Sequence, residues 1–332
     1  MSRCAKWSEL KGEGLTMCSL ECDCSGTRAH SALLQCNEAA INLRFDRAYL
    51  FYITQSLLKM LRRSSTSLGL TVRKFASSAS SARKTVVVVG GNGAFGQSIV
   101  SKFGSADWKT ISFDLVENKK ADLSIVGGGS WNEDVKDLLA KLADASSEKV
   151  DAVVCAAGGW AGGGVDDPEA LVEGAEAMLF ACYKTSLTAA CVAGQSMREG
   201  GLLVLTGSAA ATEPNAGAAG MLGYCMAKSA THYLTQTLAH AGLPKNSRSI
   251  CVLPEVLDTP ANREAMPDAD TESWTKPDEL ADLVLEWAGA CAAEGGVTSQ
   301  GTTVPDSGAL VLPTMDGGKV NGWTVSRSDG RS

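Results

Sequence analysis

The sequence predicts an α/β fold, built as a single doubly wound parallel sheet with helices on both faces. From about Thr85 onward, short β-branched or apolar runs alternate with stretches of helical periodicity. Runs such as Thr85–Val89 and Val150–Ala156 are almost uniformly apolar, as is typical of strands buried on both faces. A glycine-rich turn directly follows the first run, where the chain would pass from strand to helix.

The predicted elements follow this alternation along the chain. The predicted strands are Thr85–Val89, Thr110–Asp114, Val150–Ala156, Leu202–Thr206 and Ser249–Leu253, with Gly301–Val304 and Ala309–Leu312 as late candidates. The predicted helices are Ala94–Phe103, Trp131–Ala145, Gly174–Met197, Gly223–Ala241 and Pro277–Ala290. The sequence therefore predicts one domain over residues 85–312, preceded by an extension at 1–84 that we expect to be disordered and followed by a flexible tail at 313–332.

Charge is distributed unevenly between the extension and the rest of the chain. Residues 1–84 carry 13 Lys and Arg against 6 Asp and Glu, a net charge of +7, whereas residues 85–332 carry 17 against 31, a net charge of −14. An acidic domain is a poor partner for nucleic acid or an anionic membrane, so we expect neither. An anionic cofactor is still allowed, because backbone N–H groups can hold phosphate.

The extension has the composition of a targeting segment. Residues 60–84 are rich in Arg and Ser and contain no acid, which is typical of a mitochondrial transit peptide, with Met60 as a possible start. The protein would then be mitochondrial. The alternative is a disordered basic tail that carries no targeting signal.

Eleven cysteines raise the question of disulfides or a metal. A large apolar chain without an evident secretory signal does not need disulfides, so we expect reduced thiols. Cys18, Cys22 and Cys24 could supply half of a metal site, but no second Cys/His pair stands at a matching spacing. We therefore expect no metal.

The glycine turn predicts a dinucleotide site of the Rossmann type. Residues 90–96 read GGNGAFG, which contains G-x-G-x-x-G at positions 91, 93 and 96. Such glycines allow a tight turn, close approach of the backbone to a pyrophosphate, and packing of helix on strand. The start of the following helix favours the phosphate charge. The candidate cofactor residues here are Gly90, Gly91, Asn92, Gly93, Ala94, Phe95 and Gly96.

Asp114 ends the second predicted strand, eighteen residues after Gly96. An acid at this place can accept hydrogen bonds from the adenosine ribose, and it would repel a 2′-phosphate. We therefore expect NADH to be preferred and NADPH to bind more weakly. The alternative is a structural glycine turn with a surface aspartate.

Tyr224 and Lys228 form a Y-x-x-x-K pair within GYCMAKSATHYL. On a helix this spacing places both side chains on one face. A nearby ammonium stabilises a phenolate, so Lys228 would help Tyr224 exchange a proton, and Lys228 could also bind the nicotinamide ribose. The alternative is a surface pair with no catalytic role.

These motifs, together with the strand-end AAGG at 156–159, resemble the short-chain dehydrogenase/reductase family. The stretches VDAVVCAAGGWAGG (150–163), MLGYCMAKSA (221–230) and LPEVLDTPANREAMPDADTESW (253–274) resemble more closely the quinonoid dihydropteridine reductases within it. The resemblance covers about Thr85 to Leu312.

The resemblance implies a function. It implies NADH-dependent reduction of quinonoid dihydrobiopterin to tetrahydrobiopterin, which regenerates the cofactor of the aromatic amino acid hydroxylases. It also implies a homodimer, in which Gly174–Met197 and Gly223–Ala241 of each subunit form a four-helix bundle. The family is generally cytosolic, so without a functional presequence the protein would be cytoplasmic.

The resemblance also implies roles for particular residues. Gly90–Gly96 would hold the pyrophosphate and Asp114 the ribose, while Ala157, Gly158 and Gly159 would line the cofactor cleft. Trp160 would face the pterin. Tyr224 would supply the proton, with Lys228 assisting. Thr259 would hold the nicotinamide carboxamide, and Pro260–Trp274 would form a mobile lid.

Two departures from the wider family are visible. The family usually has a serine about thirteen residues before the tyrosine, where this chain has Ala211, whereas Ser208 lies sixteen before and is a candidate substrate contact. The usual helix asparagine is missing too. A quinonoid substrate is already electrophilic. Its reduction depends on a hydride and one proton, and depends less on a full set of groups that polarise a carbonyl.

Two alternatives to a dihydropteridine reductase stay open. One is a carbonyl or alcohol reductase, and the other is a non-catalytic regulator that binds a dinucleotide.

Overall fold

The computed structural model describes residues 83–145, 149–291, 298–299, 301, 303–316 and 319–326. The predictions for residues 1–82, including nearly all of the transit-like segment and the cluster Cys18, Cys22 and Cys24, lie outside the described residues.

Within the described ranges, eight strands form one sheet in the order β3-β2-β1-β4-β5-β6-β7-β8. Strands β1 to β7 are parallel, and β8 pairs antiparallel with β7. The strands are β1 (Thr85–Val89), β2 (Lys109–Asp114), β3 (Leu123–Val126), β4 (Val150–Cys155), β5 (Met197–Thr206), β6 (Arg248–Val252), β7 (Ala309–Asp316) and β8 (Lys319–Ser326). The predicted doubly wound α/β sheet is confirmed, with an antiparallel strand at one edge.

Helices cover both faces of this sheet. They are α1 (Ala94–Ser105), α2 (Trp131–Ala145), α3 (Pro168–Met178), α4 (Thr185–Ser196), α5 (Ala216–Ala219), α6 (Leu222–Leu238), α7 (Pro260–Ala265) and α8 (Pro277–Cys291). A π-helical turn, Leu179–Lys184, joins α3 to α4, so that 168–196 is one helix of 29 residues. The turn Ala209–Ala211 is a short 3₁₀ helix.

The alternation of side chains along β1 shows why all four positions after Thr85 are valine. Val86 and Val88 belong to the core beneath α1 and α8, whereas Val87 and Val89 belong to the core beneath α2 and α4. Successive residues of a strand point to opposite faces, so a strand covered on both sides needs no polar position.

The prediction of a flexible tail after residue 312 is wrong for residues 313–316 and 319–326, which lie in strands. Strand β7 continues through Pro313, and β8 returns beside it, with Trp323 packing edge-on against Trp287 at 5.5 Å between ring centroids. Proline disfavours a strand interior because it lacks an N–H donor. Pro313 lies beyond Val311, the last β7 residue that pairs with β6, so no hydrogen bond to β6 is lost there.

One helix among the described residues, 168–196, is long and apolar enough to cross a membrane by length and composition alone. Its second half, α4, packs on β4 and β5 and contributes Ala189, Val192 and Ala193 to the core. Its apolar residues therefore have a role in the fold itself.

Candidate active site

The predicted site residues gather at the carboxyl ends of the central strands. The strand order reverses at β1, since β2 and β3 lie on one side of it and β4 lies on the other. In doubly wound sheets such a switch point opens a crevice at the carboxyl ends of the strands. The glycine loop follows β1, Asp114 ends β2, the segment 156–160 follows β4, and Ser208 follows β5.

The glycine loop forms a cradle that side chains would fill. Gly90 has a φ of +84°, and a Cβ there would lie 2.5 Å from the Cα of Ala157. A Cβ on Gly96 would overlap the carbonyl oxygen of Gly90. Gly93 caps α1 without a side-chain hydrogen bond, so the first N–H groups of the helix point into the cradle. This arrangement fits the pyrophosphate of a nicotinamide dinucleotide.

Asp114 is bound to the backbone of this cradle. Its Oδ2 accepts a hydrogen bond from Asn92 N at 2.8 Å, and its Oδ1 accepts one from Leu115 N at 2.7 Å. Each carboxylate oxygen has a second lone pair, so both can still accept a ribose hydroxyl. The ribose role stays a prediction.

Asn118, which the sequence reasoning missed, holds the loop from beneath. This buried side chain donates from Nδ2 to Gly91 O at 2.8 Å, and its backbone N donates to Ser124 Oγ at 2.8 Å. The asparagine thus ties the glycine loop to β3. Only its position in the fold reveals this, because Gly91 lies 27 residues earlier in the chain.

Lys228 is buried, with an exposed fraction of 3%, so the pair is not a surface pair, while its catalytic role stays a prediction. Its Nζ donates to Thr206 O at 2.8 Å and lies 5.9 Å from the ring centroid of Tyr224. A Cβ on Gly158 would lie 3.2 Å from the same Nζ. Helix α6 therefore brings the ammonium, the tyrosine and the loop after β4 together, as the motif predicts.

Trp160 ends the segment 156–160 that follows β4, and its exposed fraction is 62%. Its Nε1 donates to Met221 Sδ at 3.4 Å, and Gly163 forms a backbone bridge with Met221. A Cβ on Gly162 would lie 3.3 Å from the indole Cη2, so the ring lies close over glycine. The indole is thereby attached to the residue that precedes helix α6.

Ser208 is buried, and its hydroxyl accepts a hydrogen bond from Ala210 N at 3.3 Å. Its backbone N donates to Nε2 of His232, a residue that the sequence reasoning did not select, at 3.2 Å. Burial, and then the charge of Lys228, lowers the pKa of His232 to about 4. A contact between the Ser208 hydroxyl and a substrate stays a prediction.

Thr259 begins α7, and its Oγ1 accepts a hydrogen bond from Asn262 N at 3.2 Å. The segment from Pro260 that was predicted as a lid starts with this exposed helix, and Arg263 forms a double hydrogen bond with Asp258. This pairing lowers the pKa of Asp258. The lid and the carboxamide role of Thr259 stay predictions.

The buried cysteines near the site are poor nucleophiles. Burial raises the pKa of the Cys251 thiol to about 12 and also raises that of Cys155. Because the thiolate is the reactive form of cysteine, these thiols are poor candidates for catalysis, and the catalytic roles of Tyr224 and Lys228 stay predictions.

Comparisons with known proteins agree with this geometry. The short chain dehydrogenase family model matches residues 84–270. A dihydropteridine reductase from Dictyostelium discoideum is 37% identical over 243 residues, which cover 73% of this chain and 98% of the relative.

Solved structures share the fold at lower sequence identity. A short-chain dehydrogenase/reductase from Serratia marcescens is 24% identical with a TM-score of 0.55, over 71% of this chain and 97% of that chain. BdcA in complex with NADPH is 20% identical with a TM-score of 0.53, over 75% and 98% of the two chains. The aldohexose dehydrogenase of Thermoplasma acidophilum is 20% identical with a TM-score of 0.56, over 71% and 93%.

Proposed function

Because the chain belongs to the short-chain dehydrogenase/reductase family, as a relative of its dihydropteridine reductases, we propose that it reduces quinonoid dihydropterin to tetrahydropterin with NADH. Family membership makes it a nicotinamide-dependent oxidoreductase rather than a non-catalytic regulator. In the proposed role it regenerates tetrahydrobiopterin for aromatic amino acid hydroxylation.

The exposed Trp160 is the observation that carries the choice of substrate. A flat, exposed indole offers a stacking surface to a flat bicyclic ring, and its attachment to Met221 keeps that surface near Tyr224. A generic carbonyl substrate would have no need of such a platform. The name of the Dictyostelium relative supports the same choice.

The mechanism follows from where the side chains lie. Bound NADH supplies the hydride, and the protein orients the reactants and provides the proton. The cradle of Gly90–Gly96 would hold the pyrophosphate, and Asp114 would bind the ribose. Lys228, held by Thr206 O, would bind the nicotinamide ribose and stabilise the phenolate that Tyr224 becomes on giving up its proton.

Substituting Asp114 with alanine is expected to raise the NADPH-to-NADH ratio of kcat/KM by about tenfold or more, the equivalent of roughly 1.4 kcal/mol. The carboxylate repels a 2′-phosphate and accepts the ribose hydroxyls, so its loss favours NADPH in two ways. Steady-state kinetics with both cofactors measure the ratio.

The matched control is Glu117→Ala, which removes an exposed acid three residues further along the same loop. This variant is expected to keep the wild-type ratio. An unchanged ratio in Asp114→Ala would remove Asp114 from cofactor selection.

The proposed homodimer uses two helices that carry exposed apolar side chains. Phe180, in the π-helical turn after α3, is 49% exposed, and Met226 and Tyr233 on α6 are each 72% exposed. Helices α3 and α6 already pack closely, since a Cβ on Gly223 would lie 2.6 Å from the Cα of Ala175. A paired surface of this kind supports dimerisation through a four-helix bundle.

The substrate class is tested by steady-state NADH oxidation with freshly generated quinonoid dihydropterin beside a panel of ketones. We expect turnover of the pterin and little turnover of the ketones. A ketone that is accepted while the pterin is not would favour the carbonyl reductase instead.

A further inference from the structure

Helix α6 presents a third polar group in line with Tyr224 and Lys228. His232 follows Lys228 by four residues and Tyr224 by eight, so the three side chains lie along one face of the helix. His232 is 6% exposed, and the proposed mechanism has so far given it no task.

The imidazole packs directly on the end of β5. Ser208 N donates to His232 Nε2 at 3.2 Å, which requires Nε2 to be unprotonated and places the ring proton on Nδ1. A Cβ on Gly207 would lie 2.6 Å from Cδ2 of the ring. The glycine therefore lets the ring reach the backbone of the strand end.

The same strand end holds the ammonium of Lys228. Thr206 O accepts from Lys228 Nζ at 2.8 Å, and Thr206 Oγ1 donates to Cys155 O at 2.7 Å. Residues 206–208 are thus hydrogen-bonded to α6 through both Lys228 and His232. A further hydrogen bond, from Thr206 Oγ1, joins them to β4. A shift of this segment would move the carbonyl that places Nζ near Tyr224.

We propose that His232 is a positioning residue of this site, whose neutral imidazole fixes the end of β5 so that Thr206 O keeps Lys228 beside Tyr224. The inference rests on the proposed reductase activity and adds to it a residue outside the tyrosine–lysine pair.

The surroundings of His232 favour its neutral form. The charged group that faces it is Lys228 on α6, and the thiols of Cys155 on β4 and Cys251 on β6 stay protonated because burial raises their pKa. Burial, followed by Lys228, lowers the pKa of His232 from 6.5 to about 4. A protonated ring would place a donor against Ser208 N–H and a second cation beside Lys228.

This pKa gives a readout that does not depend on activity. Between pH 6.5 and about 4 the unfolded chain binds a proton at His232 that the folded chain does not. That difference makes the free energy of unfolding decrease as the pH falls through this window. Above pH 6.5 His232 adds no pH dependence to the free energy of unfolding. A variant without the imidazole lacks the decrease at lower pH as well.

The experiment compares His232→Leu, His232→Gln and the control Thr235→Val with the wild type. Glutamine places an acceptor oxygen at the position of Nε2, whereas leucine leaves Ser208 N–H unpaired. Thr235 is also buried, one turn further along α6, but its hydroxyl donates to Thr231 O, within the same helix.

We expect His232→Leu to lower kcat for quinonoid dihydropterin about tenfold, the rate equivalent of one lost hydrogen bond, with little change in the Kd for NADH. His232→Gln should recover most of kcat, and Thr235→Val should keep it. Both His232 variants should lose the wild-type fall in stability between pH 6.5 and 4.

A kcat for His232→Leu equal to that of the wild type, or no recovery in His232→Gln, would overturn the positioning role. An unchanged pH dependence of unfolding in His232→Gln would overturn the neutral imidazole. If His232→Leu does not fold, the kcat of His232→Gln and the pH dependence of its unfolding still test the proposal. Absence of pterin turnover by the wild-type protein would instead count against the proposed function.

Discussion

Replacing Tyr224 with phenylalanine is expected to lower kcat for quinonoid dihydropterin by about 100- to 10,000-fold, the range of a lost general acid. The ring stays, so its packing against Ala227 and Met178 is kept and only the proton donor is removed. Lys228 remains fixed to Thr206 O, so the Kd for NADH should change little. Steady-state rates and a fluorescence titration with NADH measure both quantities.

The matched control is Tyr183→Phe, which removes a phenol whose ring packs against Trp131 on α2, at 6.5 Å between ring centroids. It should retain wild-type kcat. If Tyr224→Phe also kept the wild-type rate, the proton would have to come from another group and Tyr224 would leave the mechanism.

Replacing Gly96 with alanine is expected to raise the Kd for NADH by about 10- to 100-fold, the equivalent of roughly 1–3 kcal/mol of overpacking. The new methyl group would overlap the carbonyl oxygen of Gly90, which is backbone and cannot rotate away. The loop must therefore open, and the pyrophosphate cradle opens with it. Isothermal titration with NADH measures the loss.

Gly104→Ala is the control within the same helix. A Cβ there would lie 4.0 Å from its nearest neighbour, the Thr110 side chain, so alanine fits. This change should leave NADH binding intact and raise the free energy of unfolding by about 0.5–1 kcal/mol through helix propensity. Equal Kd values for the two alanine variants would contradict the cradle.

The sequence was sufficient for the parts of the fold that depend on local pattern. The β-branched and almost uniformly apolar run Thr85–Val89 predicts a strand covered on both faces, and the glycines after it predict the turn. Tyr224 and Lys228 could be placed on one helix face because their spacing is itself helical. These predictions need only the period of the element.

Contacts between distant segments could not be predicted in this way. Asn118 acts on Gly91, and His232 acts on Ser208 from 24 residues away, through bonds that exist only once the strands are side by side. The continuation of β7 past Leu312 was not predicted because Pro313 disfavours a strand, unless it is known that the pairing with β6 ends before it. The i, i+4 spacing from Lys228 was the one local sign that could have selected His232.

The central claim is that this site transfers hydride from NADH to a quinonoid pterin with Tyr224 as the proton donor. A single-turnover experiment tests it most directly: protein loaded with one equivalent of NADH is mixed rapidly with quinonoid dihydropterin, beside a protein-free control. We predict oxidation of the bound NADH with formation of an equal amount of tetrahydropterin, slowed in Tyr224→Phe by about the factor given above. NADH that stays reduced, or is oxidised no faster than in the protein-free control, would contradict the account.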